Sequence, residues 1–119
     1  MPSRDEHVRK AEGNEKFAAT IKPENQAQID WLLVVLFYTA LHYIEAYLDK
    51  HLNQHVRSHT TRDKYVGKES NLRKIFKPYG HLKYMGYTAR YDLVGFTPKD
   101  TQEAQKDLEA IKALLIPLL

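Results

Sequence analysis

The chain is 119 residues long, 43% hydrophobic and free of cysteine, and its formal net charge is +3 at pH 7. This length fits a single domain, residues 1–119, with one hydrophobic core. The missing thiols exclude disulfides, cysteine metal sites and a cysteine nucleophile. The charged N-terminal segment lacks the apolar stretch of a secretory signal, so we expect a cytoplasmic protein. The small excess of positive charge is only a weak indication of an anionic partner.

The first predicted element is a helix that begins at Ser3. Ser3 and Glu6 have the spacing of a capping box, in which two side chains satisfy exposed amides at a helix start. Apolar residues at helical spacing continue to Ile21. The helix is expected to end before Pro23, because the residue that precedes a proline avoids the helical conformation.

The second predicted element is the apolar run of residues 31–48, WLLVVLFYTALHYIEAYL. We expect a loop at 24–29, an N-cap at Asp30 and a helix from 31 to about 50. A membrane span of this length is the competing interpretation, but His42 and Glu45 in the middle are costly in lipid. The pattern therefore favours a central helix of a soluble domain, with His42 hydrogen-bonded to Glu45 or a tyrosine.

Three further helices are predicted in the second half of the chain. Ser58 or Thr60 can cap a helix that starts near Thr61, and Pro78 indicates a kink or a restart before the next one. The last helix has the clearest start, with Thr97-Pro98 at its cap and first position. Short connections make successive helices antiparallel, so we predict an all-α fold, an antiparallel up-and-down bundle of four to five helices with helix 2 at its centre.

The chain carries, in order, the segments FYTALHYIEAYL, SHTTRDKYV, YTARYD and FTPKDTQEAQKDLEAI. In this order and spacing, from Glu15 to Ile111, they resemble the HEPN (higher eukaryotes and prokaryotes nucleotide-binding) domains. Members of that family are helical bundles and are usually dimeric, so the resemblance implies a homodimer without a membrane segment. Many are ribonucleases of toxin–antitoxin, antiphage or RNA-processing systems, and others bind nucleotides or partner proteins without catalysis. The resemblance thus implies RNA, a nucleotide or a cognate protein as the partner.

The family's catalytic pair carries over only in part. His59 of SHTTR matches the family histidine, but the arginine that should stand a few residues earlier is missing, because Asn53 and Gln54 are uncharged and Arg57 is too close. RNA cleavage needs a histidine to move the 2'-hydroxyl proton and a cation to stabilise the phosphorane. The sequence therefore favours a non-catalytic binding module. The alternative is a ribonuclease that uses His59 with a relocated arginine.

Five side chains are the predicted binding residues: Arg57, His59, Arg62, Arg90 and Tyr91. The N-terminus of helix 3 and the C-terminus of helix 4 are expected to meet, which would place them around a phosphate-sized anion. The alternative is that Arg62 and Arg90 pair with nearby carboxylates instead.

No metal site and no cofactor are predicted. His55 and His59 have a spacing that can bind zinc, but no third ligand is indicated beside them. Tyrosines interleaved with Lys and Arg between residues 65 and 91 could stack nucleic-acid bases. Bundle helices also commonly pack the ring of a tyrosine against the core while its hydroxyl stays in contact with water. We favour this packing role for these tyrosines.

Overall fold

The computed structural model describes residues 3–54 and 58–119, except for the side chain of His59. Within these ranges the chain forms an all-α helical bundle, as predicted, with five α-helices and no strand. The helices are α1 (Arg4–Thr20), α2 (Gln26–Leu52), α3 (His59–Lys68), α4 (Phe76–Tyr91) and α5 (Pro98–Leu115), with 3-10 turns at Leu72–Ile75 and Ile116–Leu118.

Helix α2 is the centre of the bundle, as its apolar sequence predicts. It packs against α1, α4 and α5, and Leu33, Ala40, Ile44 and Leu48 on it are fully buried. Among the described helices, α2 is long and apolar enough to cross a membrane by length and composition alone, and 78% of its most apolar window is buried inside the fold. Apolar side chains on most of its circumference are thus covered by the surrounding helices.

Several helices begin at the capping residues that the sequence predicts. The Ser3 hydroxyl accepts a hydrogen bond from the Glu6 amide, and Ser58 caps α3 by accepting from Thr61. At α5 the Thr97 amide donates to the Asp100 carboxylate at 2.7 Å. These bonds satisfy amides that have no partner inside the helix.

Helix α2 begins earlier than predicted, at Gln26. The Asn25 side chain accepts from the Gln28 amide at 2.9 Å, and the Gln28 side chain accepts from the Asn25 amide at 3.2 Å. This reciprocal capping box starts the helix one turn before Asp30, so the predicted loop at 24–29 and the predicted cap at Asp30 are wrong.

Helix α4 approaches α2 closely at Gly86. A Cβ atom at this position would lie 2.7 Å from the Cβ of Phe37, so only glycine fits there without a shift of one helix. Pro78 lies in the first turn of α4, where its missing amide is harmless, and the predicted restart is confirmed. The close approach places the last turn of α4, with Arg90, beside Tyr38 of α2.

Candidate functional site

A buried polar cluster joins three helices: His7 of α1, His42 and Glu45 of α2, and Arg62 of α3. The i, i+3 spacing of His42 and Glu45 puts both on one face of α2. Arg62 Nη2 donates to Glu45 Oε1 at 2.5 Å. The other carboxylate oxygen, Oε2, lies 3.2 Å from His7 Nδ1 and 3.5 Å from His42 Nδ1, and the two Nδ1 atoms are 3.1 Å apart. We call these four residues the His–Glu–Arg cluster.

Burial determines the charges in this cluster. Arg62 is 4% exposed and Glu45 is 9% exposed, and buried charges of this kind need a partner of opposite sign. Desolvation lowers the pKa of His42 to about 4, and coulombic interactions with His7, Lys10 and Arg62 lower this pKa further. The imidazole of His42 is therefore neutral at pH 7.

A row of cations and tyrosines runs along α4, and we call Lys83, Tyr87, Arg90 and Tyr91 the α4 ridge. Arg90 and Tyr91 are exposed, whereas Lys83 and Tyr87 are partly buried. Lys83 Nζ lies 5.7 Å from the centroid of the Tyr87 ring, and Arg90 Cζ lies 5.3 Å from the centroid of the Tyr91 ring. The two tyrosine rings are stacked, with centroids 6.0 Å apart. Arg90 Nη1 also donates to the Tyr38 hydroxyl at 2.7 Å, so its guanidinium is held in place on the surface.

The α4 ridge is tied to α3 through Asp63. This carboxylate accepts a hydrogen bond from the Tyr79 hydroxyl at 2.8 Å and forms an ion pair with Lys83. Burial and the hydrogen bond to Asp63 raise the pKa of Tyr79, so its hydroxyl stays protonated and remains a donor. Both partners of Asp63 lie on α4, so this carboxylate links α3 to the helix that carries the ridge.

An apolar groove of about 350 Å³ runs between α1 and α2 and ends at the cluster. Phe17 and Trp31, both in its wall, are 57% and 59% exposed. Tyr38 and His42, one helical turn apart on α2, both line the groove. Tyr38 also contacts Arg90 of the α4 ridge, and His42 belongs to the His–Glu–Arg cluster. It is lined by Lys10, Asn14, Phe17, Trp31, Val34, Val35, Tyr38 and His42.

No family model, curated protein or solved structure matches this chain. The resemblance to HEPN domains therefore depends on the sequence segments alone.

The predicted binding residues fall into different surroundings. Arg57 lies outside the described residues, as does the side chain of His59, whose backbone begins α3. Arg62 lies on the inner face of α3 and bonds to Glu45, so the expected surface pair of Arg62 and Arg90 around one anion is not formed. The alternative prediction, that Arg62 pairs with a carboxylate, is confirmed by its bond to Glu45. Arg90 and Tyr91 are both exposed and lie side by side.

Sequence reasoning missed His7 and the contact between Arg90 and Tyr38. A signal for His7 was present, because His7 shares an inward stripe with Ala11 and Ala18 at helical spacing, and all three are buried. No comparable local signal marked Tyr38, since its contact depends on how closely α4 packs on α2.

Proposed function

We propose that this protein is a HEPN-like, non-catalytic module that binds single-stranded RNA through the α4 ridge. Exposed tyrosine rings provide surfaces on which bases stack, and flanking cations contact the phosphates. The observation that carries the proposal is Arg90, which is exposed and held by the Tyr38 hydroxyl on one side and the Tyr91 ring on the other. A cation ordered in this way loses little side-chain entropy when it contacts a phosphate.

The environment of Arg62 supports binding without cleavage. A ribonuclease site needs a cation that faces the scissile phosphate, whereas Arg62 is buried and committed to Glu45. The ribonuclease alternative would have to use Arg90, or Arg57 outside the described residues, together with His59.

Binding of a labelled single-stranded RNA to the wild-type protein and to three variants tests the proposal. We expect Tyr91→Ala to weaken binding about 5- to 150-fold, because stacking contributes about 1–3 kcal/mol per base. Arg90→Ala should weaken binding and lower the salt dependence by about 0.7 in the log–log slope for each lost phosphate contact. Arg9→Ala removes an exposed arginine from α1 and should change affinity little.

Binding that does not depend on salt, or equal losses in the Arg9 and Arg90 variants, would contradict RNA binding at the ridge. A free nucleotide that competes with RNA would show that one stacked base and its phosphate are sufficient. Cleavage of the RNA by the wild-type protein but not by His59→Ala would establish the ribonuclease alternative.

We further propose that the protein is a homodimer, as the family resemblance implies. Two large exposed rings, Phe17 and Trp31, line the groove on the face formed by α1 and α2. Burial of these rings against a second copy would remove their apolar surface from water.

A further inference from the structure

We propose that His7, His42 and Glu45 form a binding site for a divalent transition-metal ion, with Zn²⁺ as the ion that fits best. Each of the three side chains offers one potential ligand atom, and these atoms all lie within 4.8 Å of one another. This inference does not depend on RNA binding by the α4 ridge.

The distances between the donor atoms match those around a bound ion. Zinc bonds of about 2.0–2.1 Å in tetrahedral geometry place neighbouring ligand atoms about 3.3 Å apart. The three separations between His7 Nδ1, His42 Nδ1 and Glu45 Oε2 are 3.1, 3.2 and 3.5 Å. An ion can thus contact all three atoms with little movement of the side chains.

The donor set has the chemistry that this class of ion prefers. Two imidazoles and one carboxylate are typical ligands of zinc and of other divalent transition metals, whereas Mg²⁺ and Ca²⁺ prefer oxygen alone.

Arg62 orients the carboxylate for this role. Its guanidinium bonds to Glu45 Oε1 at 2.5 Å, which leaves Oε2 directed at the two histidines. Hydrogen bonds of this kind to the far side of a ligand fix its orientation and sharpen metal affinity. The arginine is 4% exposed, so this support is rigid.

The site has a route to solvent. His42 is a member of the ligand set and also lines the groove between α1 and α2. Three protein ligands leave at least one position on a zinc ion for water or another ligand. A bound ion could therefore exchange this further ligand with solvent through the groove.

A zinc titration of untagged protein, first treated with a chelator, tests the proposal. We expect one equivalent of Zn²⁺ to bind, and we expect His7→Asn and His42→Asn to weaken binding by at least about 100-fold, since loss of even a supporting partner costs 10- to 100-fold. His81→Asn is the matched control, because His81 is an exposed histidine whose ring contacts Asp107 on α5. The double variant His55→Asn/His59→Asn controls for the other histidine pair, and both controls should bind as the wild type does.

Imidazole nitrogen resonances of the wild-type protein provide a second measurement that needs no substitution. The Nδ1 signals of His7 and His42 should shift with Zn²⁺ and stop shifting at one equivalent. The proposal is overturned if the wild type shows no saturable binding, if the signals of other histidines shift instead, or if binding is lost in the His55/His59 variant and kept in the His7 variant. Circular dichroism of each variant separates lost binding from lost folding, and the wild-type resonances decide the matter if a variant unfolds.

Discussion

Glu45 is the residue on which the buried polar groups converge, and its two oxygens have different partners. One accepts from Arg62 at 2.5 Å, and the other faces His7 and His42. The sequence predicts partners for a polar residue in the middle of an apolar helix, but not that one of them is a buried arginine. A buried ion pair is more sensitive to loss of one member than a neutral hydrogen bond is.

We expect Glu45→Ala to lower the free energy of unfolding by about 3–5 kcal/mol, because the guanidinium of Arg62 stays in the interior after its carboxylate is gone. A neutral buried hydrogen bond would predict only about 1–3 kcal/mol. Urea denaturation measures the difference, with Glu109→Ala on the exposed side of α5 as the control. The double variant Glu45→Met/Arg62→Met should recover part of the loss, and an unchanged midpoint for Glu45→Ala would contradict the buried pair.

The stability of the metal-free protein should fall as the pH is lowered from about 6.5 to about 4. The pKa of His42 is about 4 in the folded state, whereas an ordinary histidine in the unfolded chain has a pKa of about 6.5, so the unfolded chain binds more protons in this interval. Stability then rises with pH across the interval and is constant above it with respect to this group. The expected loss of unfolding free energy is about 1–3 kcal/mol. We expect a value at the lower end of this range, because 21% of the His42 side chain is exposed to water.

Denaturation at several pH values in the presence of a chelator measures this effect, and His42→Asn should flatten the profile. The groups around the ring are His7 and Lys10 from α1, Glu45 from α2 and Arg62 from α3. A profile that keeps the same slope in His42→Asn would contradict the assignment of this pH dependence to His42.

At the scale of the helices, the contact between α2 and α4 depends on the absence of one side chain. Gly86 is buried against Phe37, and a Cβ atom would come within 2.7 Å of the Phe37 Cβ, which cannot rotate away. This contact sets the distance between the two helices and thereby brings Arg90 within reach of the Tyr38 hydroxyl.

Gly86→Ala should lower the free energy of unfolding by about 1–3 kcal/mol, because the added methyl group overpacks the contact between the helices. Gly80→Ala is the matched control in the same helix, since a Cβ atom there has nothing within 4 Å. That substitution should instead stabilise the protein by up to about 1 kcal/mol through helix propensity. Thermal unfolding of the two variants measures both effects, and equal changes in the same direction would contradict the close approach.

At the scale of the whole molecule, the proposed homodimer has a direct optical and hydrodynamic test. Sedimentation at high micromolar concentration should show a dimer, and Phe17→Ser/Trp31→Ser should shift it towards the monomer. Phe76→Ser is the control, because Phe76 is 56% exposed and lies on α4 rather than in the groove. Trp31 is the single tryptophan of the chain, so its emission should move to the blue on association. A wild-type monomer at these concentrations would contradict the dimer.

The sequence alone determined the fold class and most of the helix starts, because these depend on neighbouring residues. Capping by Ser3, Ser58 and Thr97 acts over three residues, and the apolar run of α2 requires other helices to cover it. Where prediction failed locally, as at the start of α2, a second capping pair, Asn25 with Gln28, competed with Asp30 and formed one turn earlier.

Only the tertiary structure decided the composition of the two sites. His7 and Arg62 reach Glu45 from separate helices, and Arg90 reaches Tyr38 because Gly86 lets α4 approach α2. Helical periodicity states which face of a helix is apolar, but it does not state which residue of the facing helix stands opposite. The side of α3 on which Arg62 lies therefore could not be read from SHTTR, and it was this packing that turned an expected surface cation into the buried partner of Glu45.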